Sequence, residues 1–410
     1  MPKINKRRYI NKIKGKLPVS WQPKFENLVD FLKYVVYMRW YRTKFLGALN
    51  FVKYMALKSP DVNDEKKMLA VADIDVAGVA LGAYIEFQTR FLCEAYLNKI
   101  SKIDFALVYN SEKPLSHSKI AYWINKDNFH LHFADIFPLL NINPKLNSLF
   151  VFNSHAEFEV FLNKNAKNYI LRPSFFNYVN KNSIARGNYG FFRDFYLKHG
   201  FLPKLEIPNF VSSWTRAFIK KYAKGKYLVA VNLRSNPFFD DGRNADIGAW
   251  KQFFAYCLKK HQDVIFVILG RKNEIRGELK LPNVIFAQDY NINMQHTLSL
   301  IKHSLFYMAT SSGPASFAIL STDIPYINMR FHAPDISYNY NWFKPGTVLP
   351  WQNKELQKLI WERETPEILI KEFEDLLDKV DKEKWKKELE LDKVDESILD
   401  WPYLTNKSSK

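Results

Sequence analysis

Two short stretches of this chain carry residue types that grip anions. The first is the apolar run Lys226-Tyr-Leu-Val-Ala-Val-Asn-Leu-Arg234, strand-like and ending in an arginine. The second, Leu305-Phe-Tyr-Met-Ala-Thr310, empties into Ser311-Ser312-Gly313-Pro314-Ala315. A guanidinium presents a rigid fork of donors that can hold two phosphate oxygens at once, which a lysine cannot do. The turn offers hydroxyls on Thr310, Ser311 and Ser312, and Gly313 permits close backbone approach. A helix beginning at Ala315 would add unsatisfied amide donors and a favourable dipole. Together these groups predict an anion cradle. Arg243, in the turn beyond Arg234, and Gly270-Arg271, which closes the run Val264–Leu269, are further candidates for the same ligand. Asp246 reads more readily as the N-cap of the next helix than as a catalytic group.

Only a particular arrangement of elements can bring these groups together. Strand-like runs at 226–234, 264–269, 283–287 and 305–310 alternate with helical patterns near 247–260, 296–302 and 315–320. That alternation implies a parallel sheet, and parallel sheets bind ligands at the carboxyl ends of their strands. Earlier, the strand 68–72, a helix over 79–97 and a strand at 104–109 form a βαβ unit, with short strands at 149–152 and 169–171. Its first turn carries Asp73 and Asp75, the candidates for a base that takes a proton from an attacking hydroxyl. A helix cap beside a solvated carboxylate is the competing reading of that turn. Asp73-Ile74-Asp75 has the letters of a metal-binding pair but lies outside the anion-binding half, so no metal is expected. Nothing in the spacing ranks His117, His130, His132, His155 and His332 against one another.

At 410 residues the chain is too long for one ordinary core. The expected division is a basic arm over 1–20, a basic aromatic helical segment over 21–60 and a Rossmann-like domain over 61–210. A second such domain over 211–352 and charged helices over 353–410 complete it, with 172–225 linking the halves. No long uncharged apolar window is present and the start lacks a signal core, which predicts a cytoplasmic protein. Cys93 and Cys257 lie in apolar helical segments and read as buried thiols. The net charge of +18 is uneven. Residues 1–60 hold fourteen basic side chains against Glu26 and Asp30, whereas 354–410 hold sixteen acidic against twelve basic ones. Charge concentrated at one end argues against a nucleic-acid partner. With Tyr34, Tyr37, Trp40, Tyr41, Phe45 and Phe51 interleaved, residues 1–58 suit peripheral contact with an anionic membrane at its inner face. A basic helix packed on the body is the alternative.

The order strand–Arg234, helix, strand–Gly270, strand, helix, strand–Ser311-Ser312-Gly313-Pro314, helix, Asp323-Ile-Pro325 resembles the nucleotide-sugar half of GT-B glycosyltransferases. The turn through Ile327 is similar to the heptosyltransferase pattern, although Ser316 and Phe317 stand where that family often has histidine. Asn232-Leu233-Arg234 with Arg243-Asn244-Ala245-Asp246 is closer to a group of bacterial glycosyltransferases, and resembles the strand end of fucosyltransferases with Asn232 replacing a histidine. The resemblance spans about 226–330. It implies two Rossmann-like domains facing across a cleft, with helical extensions at both ends. It further implies Arg234 on a donor diphosphate, the 310–315 turn, with Thr310, Ser311, Ser312 and Gly313, on phosphate or ribose, and no cofactor beyond the nucleotide-sugar substrate. The implied activity is sugar transfer to a bacterial surface-glycan or lipid-linked acceptor. A sugar-nucleotide epimerase and a non-catalytic sugar-nucleotide or glycan binder share the scaffold.

Overall fold

The computed structural model describes residues 67–73, 81–109, 129–165, 168–172, 188–235, 244–270, 277–290, 292–331 and 345–400. The expectations for residues 1–58 and for Asp75, Arg243 and Arg271 lie outside the described residues. Two separate parallel sheets form, so the chain has the mixed α/β class that its strand–helix alternation predicts. It divides into a unit of Met1–Val79, Arg90–His132 and Asn143–Arg186 and a unit of Ala80–Thr89, Phe133–Ile142 and Gly187–Lys410.

In the first unit, β1 (Lys67–Asp73), β2 (Lys102–Val108), β3 (Leu146–Phe152) and β4 (Tyr169–Arg172) lie in the order β3-β2-β1-β4. β1 and β2 are buried from their second residue onward, as strands covered on both faces must be. Helix α1 (Leu81–Leu97) follows β1, and α2 (Phe129–Ile136) precedes β3; Leu81–Thr89 of α1 and Phe133–Ile136 of α2 belong to the second unit. Helix α3 (His155–Asn165) follows β3 and lays Phe158 and Phe161 against Phe152, with ring centroids 5.1 and 5.2 Å away. Glu94 pairs with Arg90 at 2.9 Å and with Arg172 at the end of β4. Burial alone would push the Glu94 carboxyl up, but Arg172 and Arg90 outweigh it and hold it low.

In the second unit, β5 (Tyr227–Asn232), β6 (Val264–Leu269), β7 (Val284–Phe286), β8 (Phe306–Thr310), β9 (Tyr326–Met329) and β10 (Gln357–Leu359) take the order β10-β9-β8-β5-β6-β7. The helices are α4 (Asn188–His199), α5 (Asn209–Phe218), α6 (Ile247–Lys260), α7 (Met294–His303), α8 (Ala315–Ile319), α9 (Pro366–Lys379) and α10 (Lys382–Leu389). α9 packs back on the sheet: Phe373 lies 5.2 Å from Phe253, 5.8 Å from Phe266 and 5.6 Å from Phe306. Cys93 and Cys257 are buried free thiols whose ionisation burial opposes. Among the described residues no helix is long and apolar enough to cross a membrane.

Three local expectations change. The stretch 172–225 contains α4 and α5 and belongs to the second unit from Gly187 onward, rather than serving as a plain link. Residues 353–361 form no helix; Gln357–Leu359 joins the sheet edge as β10. The Gln357 amide donates to the carbonyls of Ser321 at 3.0 Å and Ile324 at 2.8 Å, so edge pairing and a buried side chain override helical spacing. Within the charged helices expected over 353–410, α9 and α10 are separate because Asp381 caps α10 by accepting from the Lys384 amide at 2.8 Å.

One partly buried acid makes stability depend on pH. Burial pushes the Glu86 carboxyl up to about 8 from 4.5, although the Asn188 amide hydrogen-bonds to it. The folded protein therefore holds a proton there that the unfolded chain gives up. Stability is fully present below the lower value and falls as pH rises toward the upper one, by at most ~1.4 kcal/mol per pH unit. Glu86 keeps partial solvent access, which makes that slope an upper limit. In denaturant melts Glu86→Gln should gain on the parent steadily between the two values. A pH-independent difference would refute the assignment.

Candidate functional site

The strand order of the second sheet reverses at β5: β6 and β7 extend one way, and β8 returns to the opposite side. Crevices outside the carboxyl ends of parallel strands at such a reversal are where α/β sheets bind ligands. Arg234 follows β5, and the 310–313 turn ends β8. The Arg234 backbone N–H donates to Thr310 Oγ1 at 2.8 Å, and Ser312 Oγ donates to the buried Asn232 Oδ1 at 2.6 Å. The two sequence elements are thus tied together at the reversal by two hydrogen bonds.

The surrounding groups fix this geometry. The Arg234 carbonyl accepts from the Ala245 amide at 2.8 Å, and Arg234 itself is half-buried. Ser311 donates its amide to the Met329 carbonyl at 3.1 Å, joining the turn to β9. Beside the turn the Tyr307 phenol is buried, which raises it and keeps it protonated against the opposing pull of Ser312. Gly270, at the end of β6, has φ 131°, a backbone state that only glycine adopts at low cost. Asp246 is the N-cap of α6, its Oδ1 accepting from the Ala249 amide at 3.1 Å.

Gly313 has a different reason for being glycine than ligand approach. A Cβ there would sit 2.9 Å from the Gly82 nitrogen and 2.9 Å from Leu81 Cβ, so the start of α1 occupies the space. Gly313→Ala should destabilise the protein by about 1–3 kcal/mol through overpacking against backbone. Thermal melts test this, and an unchanged midpoint would defeat it. The expected amide donors are also largely engaged. Proline at 314 tightens the turn into a five-residue helix, and Ala315, Ser316 and Phe317 donate to the carbonyls of Ser312, Gly313 and Pro314 at 3.1–3.2 Å. Thr310 is fully buried and Ser312 gives its hydroxyl proton to Asn232, so the cradle expected from the sequence falls mainly to Arg234.

Sequence reasoning passed over Arg330 and Glu364. Arg330 follows β9 at the same sheet edge, buried, with φ 48°. Its Nε pairs with Glu364, which is 1% exposed, and Glu364 Oε1 accepts from the Asp246 amide at 2.7 Å. An arginine directly after a strand is the signal that singled out Arg234. It was legible here too.

In the first unit the order reverses between β1 and β4, and Asp73 ends β1. Its carboxylate is 6% exposed and meets His155, the first residue of α3, with Nε2 2.9 Å from Oδ2. The imidazole is 32% exposed. Sequence spacing did not single out His155; the contact does. His117 and His332 fall outside the described residues, and His130 and His132 lie on α2.

No family model matches the sequence, and no curated protein matches it. Solved structures do. E. coli ADP-heptose LPS heptosyltransferase II matches with TM-score 0.45 and 10% identity over 76% of this chain and 98% of its own. The glycosyl transferase family 9 protein from Veillonella parvula DSM 2008 matches with TM-score 0.44 and 12% identity over 82% and 97%. A candidate UDP-N-acetylglucosamine 2-epimerase from Listeria monocytogenes matches with TM-score 0.40 and 11% identity over 80% and 91%.

Proposed function

We propose that this chain is a glycosyltransferase that moves a sugar from a nucleotide-sugar donor to a bacterial surface-glycan or lipid-linked acceptor. The observation that carries the reading is the hydrogen-bonded cluster of Asn232, Arg234, Thr310 and Ser312 at the reversal of the second sheet. When the bond from the anomeric carbon to the diphosphate breaks, negative charge develops on the leaving oxygens. A half-buried guanidinium, its backbone fixed by Thr310, stabilises that charge where it forms, and the reading calls on no metal. Asp73 is the carboxylate candidate for handling the acceptor proton. Residues 1–58, through their charge and aromatics, would hold the enzyme against an anionic membrane where a lipid-linked acceptor resides.

Calorimetry of the full chain against UDP-, GDP-, CMP- and ADP-sugars tests the reading, followed by turnover with and without a lipid-linked glycan. One donor should bind, and sugar should move only when acceptor is present. Absence of binding across the panel would overturn it. Turnover without acceptor would make the protein an epimerase.

A further inference from the structure

We infer that a cavity at the amino-terminal end of the second sheet binds a small phosphate ester carrying a flat ring, such as a nucleotide, apart from the donor site. The cavity measures about 440 Å³, within the usual range for small-molecule sites, and its whole lining belongs to the second unit. Gly225 and Lys226 border it just before β5, whereas Arg234 follows the other end of that strand. At the rise of a parallel strand the two ends of β5 are about 17 Å apart, so the two sites are distinct.

The local backbone shapes the apolar part. α5 runs into a π turn over Ile219–Ala223, wider than an α turn, and Lys224 and Gly225 then take left-handed conformations with φ 50° and 81°. Rare backbone states of this kind recur at functional sites. The π turn contributes the buried Ile219 and Ala223 to the lining, and Trp385 of α10 and Leu391 beyond it add to them. Trp385 Nε1 already donates to the His303 carbonyl at 2.9 Å. The indole therefore offers a ligand its ring and no donor, and an aromatic ring stacks on any nucleobase.

The charged part of the lining selects an anion. Lys393 pairs with Glu390 at 2.7 Å, while Lys386 pairs with Glu383 at 3.2 Å and sits 5.0 Å from the centre of the Tyr227 ring. Lys226 and Lys387 are exposed and make no ion pair among the described residues, and Asp392 is the carboxylate of the lining left without a cation. Two unpaired ammonium groups against one carboxylate suit a phosphate monoester, which carries about −1.5 to −2 at neutral pH. An extended polyanion fits less well. Glu383, Glu388 and Asp392 stand exposed on the same stretch and would repel a membrane surface or a nucleic-acid backbone.

The full-length chain tests the assignment with AMP as the probe, in an Arg234→Ala background that weakens the donor site. AMP should bind in calorimetry, and less tightly as salt rises. Inorganic phosphate should bind about 5- to 150-fold more weakly, the worth of stacking one base on an aromatic side chain. Lys226→Gln with Lys387→Gln should weaken AMP by about 5- to 30-fold, as expected for two partly solvated charge contacts, and Asp392→Asn should strengthen it. Trp385→Leu should bring AMP down toward the affinity of inorganic phosphate. On irradiation, 8-azido-AMP should label peptides that carry residues 219–226 or 385–393. None of these readouts depends on sugar transfer. An AMP affinity untouched by the double lysine substitution, or label confined to peptides around residues 234 and 310–313, would overturn the proposal. Inorganic phosphate binding as tightly as AMP would do the same, since the ring would then contribute nothing. Flotation with phosphatidylglycerol vesicles that depends on Lys226 and Lys387, without AMP binding, would give the surface to a membrane and also overturn it.

Discussion

Arg234→Ala should weaken donor binding by about 30- to 5,000-fold, the equivalent of roughly 2–5 kcal/mol for removing a charge-assisted phosphate contact in a partly desolvated site. The loss belongs to the guanidinium alone. The backbone N–H of residue 234 still donates to Thr310 Oγ1, and its carbonyl still accepts from Ala245, so the strand end keeps its shape after truncation. Arg234→Lys separates charge from geometry: a lysine restores the charge but not the two-pronged grip, and should recover only part of the affinity. Arg271→Ala, at the residue after Gly270 in the sequence, should cost well under 1 kcal/mol, the value of a solvated arginine. The readout is donor affinity by calorimetry on variants whose melting is unchanged. Equal affinity for parent and Arg234→Ala would refute the donor assignment.

Strand cores were the legible part of this chain. Val264–Leu269 is buried along its whole length, and an unbroken apolar run of that kind has no other stable home than the middle of a parallel sheet. Arg234 and the 310–313 turn were legible for a related reason, since polar groups directly after such runs must lie at one sheet edge. What escaped was decided by contacts distant in sequence. Gly313 looked like a residue cleared for a ligand, but Leu81 and Gly82 fill its space, and no local pattern encodes that packing. The stretch 353–361 carried helical spacing, yet the open edge of β9 and two carbonyl partners for Gln357 made a strand of it. His155 could not be told from other histidines because its significance comes from Asp73, far earlier in the chain.

Glu364→Ala is expected to destabilise the protein by about 3–5 kcal/mol, the usual result of stripping one partner from a buried ion pair. The carboxylate is 1% exposed and serves two partners: Arg330 on one oxygen and the Asp246 amide on the other. Removing it strips the buried Arg330 guanidinium of its Glu364 partner and deprives the start of α6 of an acceptor. Arg330 also has a left-handed backbone directly after β9, a state that costs about 1–3 kcal/mol and persists only where its surroundings hold it. That residue borders the edge where Ser311 bonds to Met329, so loosening it should weaken donor binding as well as stability. Glu364→Gln keeps an acceptor for the Asp246 amide and should cost less than the alanine variant. Replacing the pair together, as Arg330→Met with Glu364→Leu, should cost less than Glu364→Ala alone, since no unpaired charge then remains inside. Denaturant unfolding of the three variants reads the difference. A Glu364→Ala variant within 1 kcal/mol of the parent, on the order of an exposed ion pair, would mean that the pair does not hold this edge together.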